Sequence, residues 1–322
     1  MSRYVPSLEL ADDAGRGNIR AISRLISRAE SGQPEARDAL AAIYRNAGRA
    51  HVVGLTGVPG SGKSTLVAAL TARLREKGGR VGIVAVDPSS PYSGGSILGD
   101  RIRMSDLAGD AGVYIRSMAT RGAMGGLARA TLDAVDVLDH GGFDTIIIET
   151  VGVGQDEVEI AKASHTTVVV SAPGLGDDIQ AIKAGMMEIA DIHVVSKCDR
   201  SDANRTLADL KHMMTLGAAT SRAAAWKTPV LGVSSYNGEG LDALVDAILR
   251  HRDVAFDSPE GRARQDAIAR FRLEKTAENL LVQRFRQSSA AHMPALAENL
   301  RSRAGDPYSL ADRLLALTIE KG

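Results

Sequence analysis

The chain has 322 residues, 44% of them apolar, and its 39 basic and 39 acidic side chains leave no formal net charge. That length supplies a core of domain size with smaller appendages, and the charge balance argues against broad binding to nucleic acid or an anionic membrane. No run approaches 18 uncharged apolar residues, and the start "MSRYVPSLELADDAGRGN" lacks an apolar signal core, so a cytoplasmic protein is expected. The single cysteine, Cys198, agrees with a reducing compartment, and an aromatic content of 3% supplies few platforms for stacking bases.

Residues 18–48, "NIRAISRLISRAESGQPEARDALAAIYRNA", space apolar side chains helically around a "SGQP" break, which predicts two amphipathic helices in an N-terminal arm, 1–48. From residue 51 the pattern changes. Short apolar runs, "HVVGLTG", "RVGIVAVD", "GVYIRSM", "FDTIIIET", "TTVVVSAPG", "IHVVSKCD" and "PVLGVSS", alternate with helical stretches. β-Branched runs without polar alternation suit strands covered on both faces, so residues 49–253 read as a doubly wound α/β domain with a mostly parallel sheet. Residues 254–322 are charged and helical, and serve either as a solvated appendage or as a dimerization arm.

Within the first strand–helix junction, "GVPGSGKST" fits G-x-x-x-x-G-K-[ST] from Gly57 through Val58, Pro59, Gly60, Ser61, Gly62 and Lys63 to Ser64, with Thr65 next. Glycines let backbone N–H groups turn inward on phosphate oxygens, and the following helix points its positive end at the same charge. Lys63 would bridge the β- and γ-phosphates, and the Ser64 hydroxyl would ligate Mg²⁺. Asp87 and Glu149 close two later strands, and Asp100 ends a Gly/Ser-rich segment; each could complete the metal site through water, or be an ordinary strand-end carboxylate. Gly152 offers an N–H to the γ-phosphate, and Gln155 is either a positioner of the attacking water or a surface glutamine.

The stretch "SKCD" resembles the N-K-x-D reader of guanine. Asp199 can accept two hydrogen bonds from the N1–H and 2-amino group of guanine, which adenine does not offer in that geometry. Lys197 would lay its aliphatic stem over the base. Ser196 stands where Asn is usual, and its shorter side chain predicts looser base recognition. Ser234, Ser235 and Tyr236 follow the last strand, where a backbone N–H would meet guanine O6.

Together with "VAVDPSSPYSGGSILGDRIRM", "RGAMGGLA", "IIIETVGVGQDE", "VVVSAPGLGDDIQAIKAGMMEIADIHVVSKCD" and "DPYSLADRLL", these motifs resemble the MeaB/ArgK family of P-loop GTPases, from about residue 18 onward. The resemblance implies a GTP-hydrolysing chaperone of an adenosylcobalamin-dependent acyl-CoA mutase, most often methylmalonyl-CoA mutase, working as a homodimer. A cobalamin adenosyltransferase is a further implied partner; nucleic acid and membrane are not. It also implies that Lys63, Ser64, Asp87, Asp100 and Glu149 serve GTP and Mg²⁺. Asp87 to Asp100 would form one switch and the segment from Glu149 a second. The loop 172–183, with Asp177, Asp178 and Lys183, would signal to the mutase.

Two other classes share the nucleotide site. A nickel metallochaperone would need a Cys/His cluster, whereas the seven histidines lie scattered and read as core or surface residues. A kinase would need an acceptor pocket and a positioned base. Arg101, Arg103, Arg116 and Arg121 are candidates to stabilise a transition state in cis.

Overall fold

The computed structural model describes residues 4–87, 107, 109–119, 129–150, 156–174, 184–218 and 226–319. Helices α1 (Ser7–Gly15), α2 (Ile19–Ser31) and α3 (Ala36–Asn46) precede strand β1 (His51–Gly57). Next come α4 (Lys63–Glu76), β2 (Val81–Asp87), β3 (Val113–Ala119), α5 (Arg129–His140) and β4 (Thr145–Thr150). The chain continues with α6 (Asp156–Ala163), β5 (Thr166–Ser171), α7 (Ala184–Ile189), β6 (Ile192–Val195), α8 (Ala203–Ala218) and β7 (Val230–Gly232). Four helices close it: α9 (Leu241–Asp257), α10 (Pro259–Ser289), α11 (Met293–Arg301) and α12 (Pro307–Ile319).

Every strand pairing is parallel, in the order β3-β2-β4-β1-β5-β6-β7. All seven apolar runs read from the sequence are strands of this one sheet. Every residue of β1, β4, β5 and β6 is buried, as strands covered on both faces demand. On one face Leu66, Val67, Leu70 and Leu74 of α4 pack with Leu244, Val245 and Ile248 of α9 on Val53, Leu55, Ile83, Ile147 and Val170. Parallel pairing brings all carboxyl ends to one edge, and the cradle leaves the central strand there.

The N-terminal arm holds one helix more than its sequence pattern predicts. Helix α1 is short, and only Ser7, Leu10, Ala11 and Ala14 are buried along it, too weak a period to read in advance. Its first turn is fixed from outside, since the Ser7 N–H and hydroxyl both donate to the Glu35 carboxylate. Asn18 caps α2 by accepting from the N–H groups of Arg20 and Ala21, and Gly32 ends that helix at φ 67°. Asp139 of α5 then accepts from the N–H groups of Gly48, Arg49 and Ala50, pinning the chain as it enters β1. Arg116 of β3 donates to Glu30 of α2 at 2.6 Å, so this arginine joins the arm to the sheet edge. Arg101, Arg103 and Arg121 lie outside the described residues.

Two compact units divide the chain after residue 269. In the unit from 270 onward, Asp306 caps α12 by accepting from the N–H groups of Tyr308 and Ser309. Leu273, Leu281, Leu300 and Leu315 are exposed there. Among the described residues no helix is long and apolar enough to cross a membrane.

Candidate nucleotide-binding site

Gly57 ends β1 at φ 144°, and a Cβ built on it would stand 2.0 Å from the Val170 carbonyl oxygen of β5. Only glycine allows the chain to leave the strand this close to its neighbour. Val58 is half-buried, Pro59 and Gly60 are exposed, and the loop turns back at Ser61, whose N–H donates to Val58 O. Gly62, at φ 86°, caps α4 without any side-chain hydrogen bond. The helix thus turns its positive end, with no side-chain cap over it, toward the place where an anion would sit.

Lys63 is buried, and its ammonium donates to Gly57 O at 2.8 Å and Val58 O at 3.0 Å, holding the cationic head at the mouth of the loop. At the next residue, the Ser64 hydroxyl donates to Glu149 Oε1 at 2.6 Å, and both side chains are buried. A hydroxyl and a carboxylate at the phosphate edge are hard oxygen donors of the kind Mg²⁺ takes, so these residues fit that ion. Asp87 ends β2 beside the end of β4, with Val86 in register with Thr150. The Thr150 hydroxyl donates to Thr56 at 3.1 Å, fastening the end of β4 to β1. Asp100, Gly152, Gln155, Asp177, Asp178 and Lys183 lie outside the described residues.

The base-reading loop is joined to the cradle by two consecutive residues. Ser196 is buried, and its hydroxyl reaches Ser61 O at 2.6 Å and Ser171 O at 3.0 Å, one proton serving both carbonyls. Lys197, at φ 55°, sends its ammonium to Gly60 O at 2.9 Å. Side-chain length alone predicts that a serine here loses contact with the cradle; the close approach of β6 to the loop lets a hydroxyl span the gap. A trans peptide points its N–H opposite to its C=O, so holding Ser61 O toward Ser196 turns the Gly62 N–H away from it.

Asp199 is exposed, and its carboxyl is held below the usual carboxylate range, first by the Ser234 hydroxyl and then by its own N–H. Ser234 is buried and organises the next loop: its N–H donates to Glu239 O, its carbonyl accepts from Gly238, and its hydroxyl oxygen accepts from Tyr236 and Asn237. With the Glu239 N–H on Asn237 Oδ1, Ser235 keeps the one N–H from 234 to 239 that makes no hydrogen bond among the described residues. The Ser234 amide, one of the candidates for guanine O6, is thus engaged within the loop. Tyr236 is 93% exposed beside it. Burial pushes the Cys198 thiol up in the same region, so it is no ready thiolate. Among the described residues no group of three His, Cys, Asp or Glu could hold a metal ion.

A parallel sheet whose central strand feeds a glycine cradle, with an aspartate-ended reader on the same edge, defines a P-loop GTPase. Residues 20–290 match the family described as methylmalonyl Co-A mutase-associated GTPase MeaB, and the chain belongs to that family. Similar proteins include a GTPase-named protein of Pyrococcus abyssi, 43% identical over 98% of this chain and 97% of its own. Another is the mitochondrial methylmalonic aciduria type A homolog of Mus musculus, 35% identical over 82% of this chain and 64% of its own. Among solved structures, one named LAO/AO transport system kinase superimposes with a TM-score of 0.70 at 25% identity, covering 98% of each chain.

Proposed function

We propose that this GTPase is a chaperone of an adenosylcobalamin-dependent acyl-CoA mutase, methylmalonyl-CoA mutase first, and that GTP binding and hydrolysis switch its hold on that partner. The observation that carries this reading is the family match over residues 20–290, whose description names the mutase. The mouse relative's name, methylmalonic aciduria type A homolog, points the same way. Cofactor loading and protection or repair of the mutase are the tasks it would gate, with a cobalamin adenosyltransferase as a second partner. Residues 254–322 would form the homodimer arm, and the exposed leucines beyond residue 270 are suited to a second copy.

In this reading Ser64, with Asp87, Asp100 and Glu149 through water, would hold Mg²⁺, which when bound neutralises charge on the phosphates. Lys63 leaves its two loop carbonyls for the phosphates, the first turn of α4 receives them, and Asp199 accepts from guanine with Lys197 across the base. Gly152 senses the terminal phosphate and Gln155 orients water. Asp177, Asp178 and Lys183 exchange partners between states. A switch works only through different affinity for the partner in its GTP and GDP forms.

Steady-state hydrolysis of GTP, alone and titrated with the mutase of the same organism, tests the proposal, with ATP in parallel. A saturable rise specific to GTP is expected; a slow GTP rate unmoved by any such mutase would overturn the partner assignment. A kinase is the second reading, favoured by the name of the structural relative. Product analysis separates the two, because hydrolysis releases free phosphate whereas a kinase leaves it on an acceptor.

A further inference from the structure

At the sheet edge opposite the cradle, three histidines far apart in sequence come together, one of them beside a buried carboxylate. His51 opens β1, His165 and Thr166 stand at the start of β5, Asp191 precedes β6, and His251 and Arg264 come from α9 and α10. His51 Nε2 lies 2.6 Å from Thr166 Oγ1, which lies 2.8 Å from His251 Nδ1; His251 Nε2 lies 3.4 Å from Asp191 Oδ1. Arg264 donates to Asp191 at 2.7 Å, to Ser164 O at 2.9 Å and to Thr167 Oγ1 at 2.8 Å. Asp191 also accepts the Thr167 N–H at 2.6 Å.

The Thr166 hydroxyl bonds to both His51 Nε2 and His251 Nδ1, and His251 Nε2–H faces the carboxylate. His165 Nδ1 accepts the Val52 N–H of β1 at 3.0 Å, which requires a lone pair on that nitrogen. A proton added to His165 Nδ1 would set one N–H against another, so this contact closes only with His165 neutral. The charged groups near His51 and His165 are Arg252 and Arg264, and Asp191 close by is paired with Arg264. A cation added at His165 would thus find no counter-charge of its own.

We propose that this cluster is a proton-sensitive latch, closed while His165 is neutral, that fastens α9, through Phe256 against the His165 ring, and the first turns of α10 to the base of β1, β5 and β6. Its electrostatics agree. Burial, then Arg264, brings His165 down to about 4, and burial, then His165, Arg252, His251 and Arg264, lowers His51 well below the usual imidazole range. Burial raises the Asp191 carboxyl, but His251, Arg264 and the Thr167 N–H outweigh it and hold the group ionised below the usual range.

Trp226, the one tryptophan of the chain, is placed to report on the latch. Its indole N–H donates to Asp191 O at 2.8 Å and its ring lies edge-on to His251, centroids 4.9 Å apart. Its emission and the far-ultraviolet ellipticity of the full chain would be followed together from about pH 8 to pH 4. The expected result is a reversible emission step that precedes loss of helicity. In hydrogen exchange at about pH 5, α9 and residues 259–269 should lose protection about ten-fold relative to α4. His165→Asn keeps an acceptor for Val52 N–H but takes up no proton, and should move the step at least about half a pH unit lower. A single coincident transition, emission flat to about pH 4 with uniform exchange, or an unshifted midpoint in a folded His165→Asn protein would each overturn the proposal. If that variant does not fold, exchange on the unaltered chain decides between the latch and its absence.

Discussion

Replacing Gly57 with alanine tests how the cradle is joined to the sheet. The new methyl carbon would lie 2.0 Å from Val170 O, 2.9 Å from its carbonyl carbon and 3.0 Å from its nitrogen, all backbone atoms of the paired strand. An ordinary contact needs roughly 1.5 Å more than the shortest of these, so β1 and β5 must part where Gly57 and Val170 stand in register. Overpacking of that kind costs about 1–3 kcal/mol, and alanine at φ 144° adds strain of about 1–3 kcal/mol. The sum, about 2–6 kcal/mol, is a large part of a domain's stability and corresponds to a fall in Tm of roughly 5–20 °C. Gly78→Ala is the control, because Gly78 has φ 88° but nothing within 4 Å of a Cβ, so it carries the strain alone. Thermal unfolding by circular dichroism, with and without GDP, compares the two. Equal melting temperatures for the two variants, with the GDP shift intact in both, would refute the argument from close approach.

Lys63→Ala should abolish nucleotide binding or turnover while leaving the circular dichroism spectrum unchanged, and near-normal turnover would remove Lys63 from its assigned task. Ser196→Ala, which deletes one hydroxyl donor to the cradle, should weaken GDP by about five-fold in a fluorescent-nucleotide titration, with Ser196→Asn restoring the grip. Asp199→Ala should reduce the preference for GTP over ATP by about ten-fold or more in competition binding. For pH, His165 titrates near 4 folded against about 6.5 unfolded, so the unfolded chain binds the proton more tightly between those values. Its contribution, about 3 kcal/mol, is complete above pH 6.5 and lost as pH falls toward 4, which urea unfolding at the two limits will measure.

The strands were legible because continuous Val and Ile runs admit few other readings, and "HVVGLTG" corresponds residue for residue to β1. The cradle was legible because its spacing lies within one strand–helix junction. By contrast, the hydroxyl bridge from Ser196 to Ser61 spans 135 positions and depends on how closely β6 approaches the loop, which no local pattern encodes. His51, His165 and His251 looked scattered for the same reason, since parallel crossovers bring the starts of β1 and β5 together only in the folded sheet. Helix α1 was missed because its buried face is short and its first turn is held by Glu35, 28 positions away. At Ser234 the sequence suggested an amide free for a base; the turn it builds with Glu239 uses that amide internally.

Because Ser196 and Lys197 hold successive carbonyls of the phosphate loop, the two halves of the ligand pocket share a single frame. Thermodynamic reciprocity then requires that whatever a guanine fragment does to order the loop at 60–62, a phosphate fragment does for the loop at 196–199. Guanosine and inorganic triphosphate, each too small to fill the site, should therefore bind cooperatively, and the affinity of the intact nucleotide should exceed what the separate fragments imply.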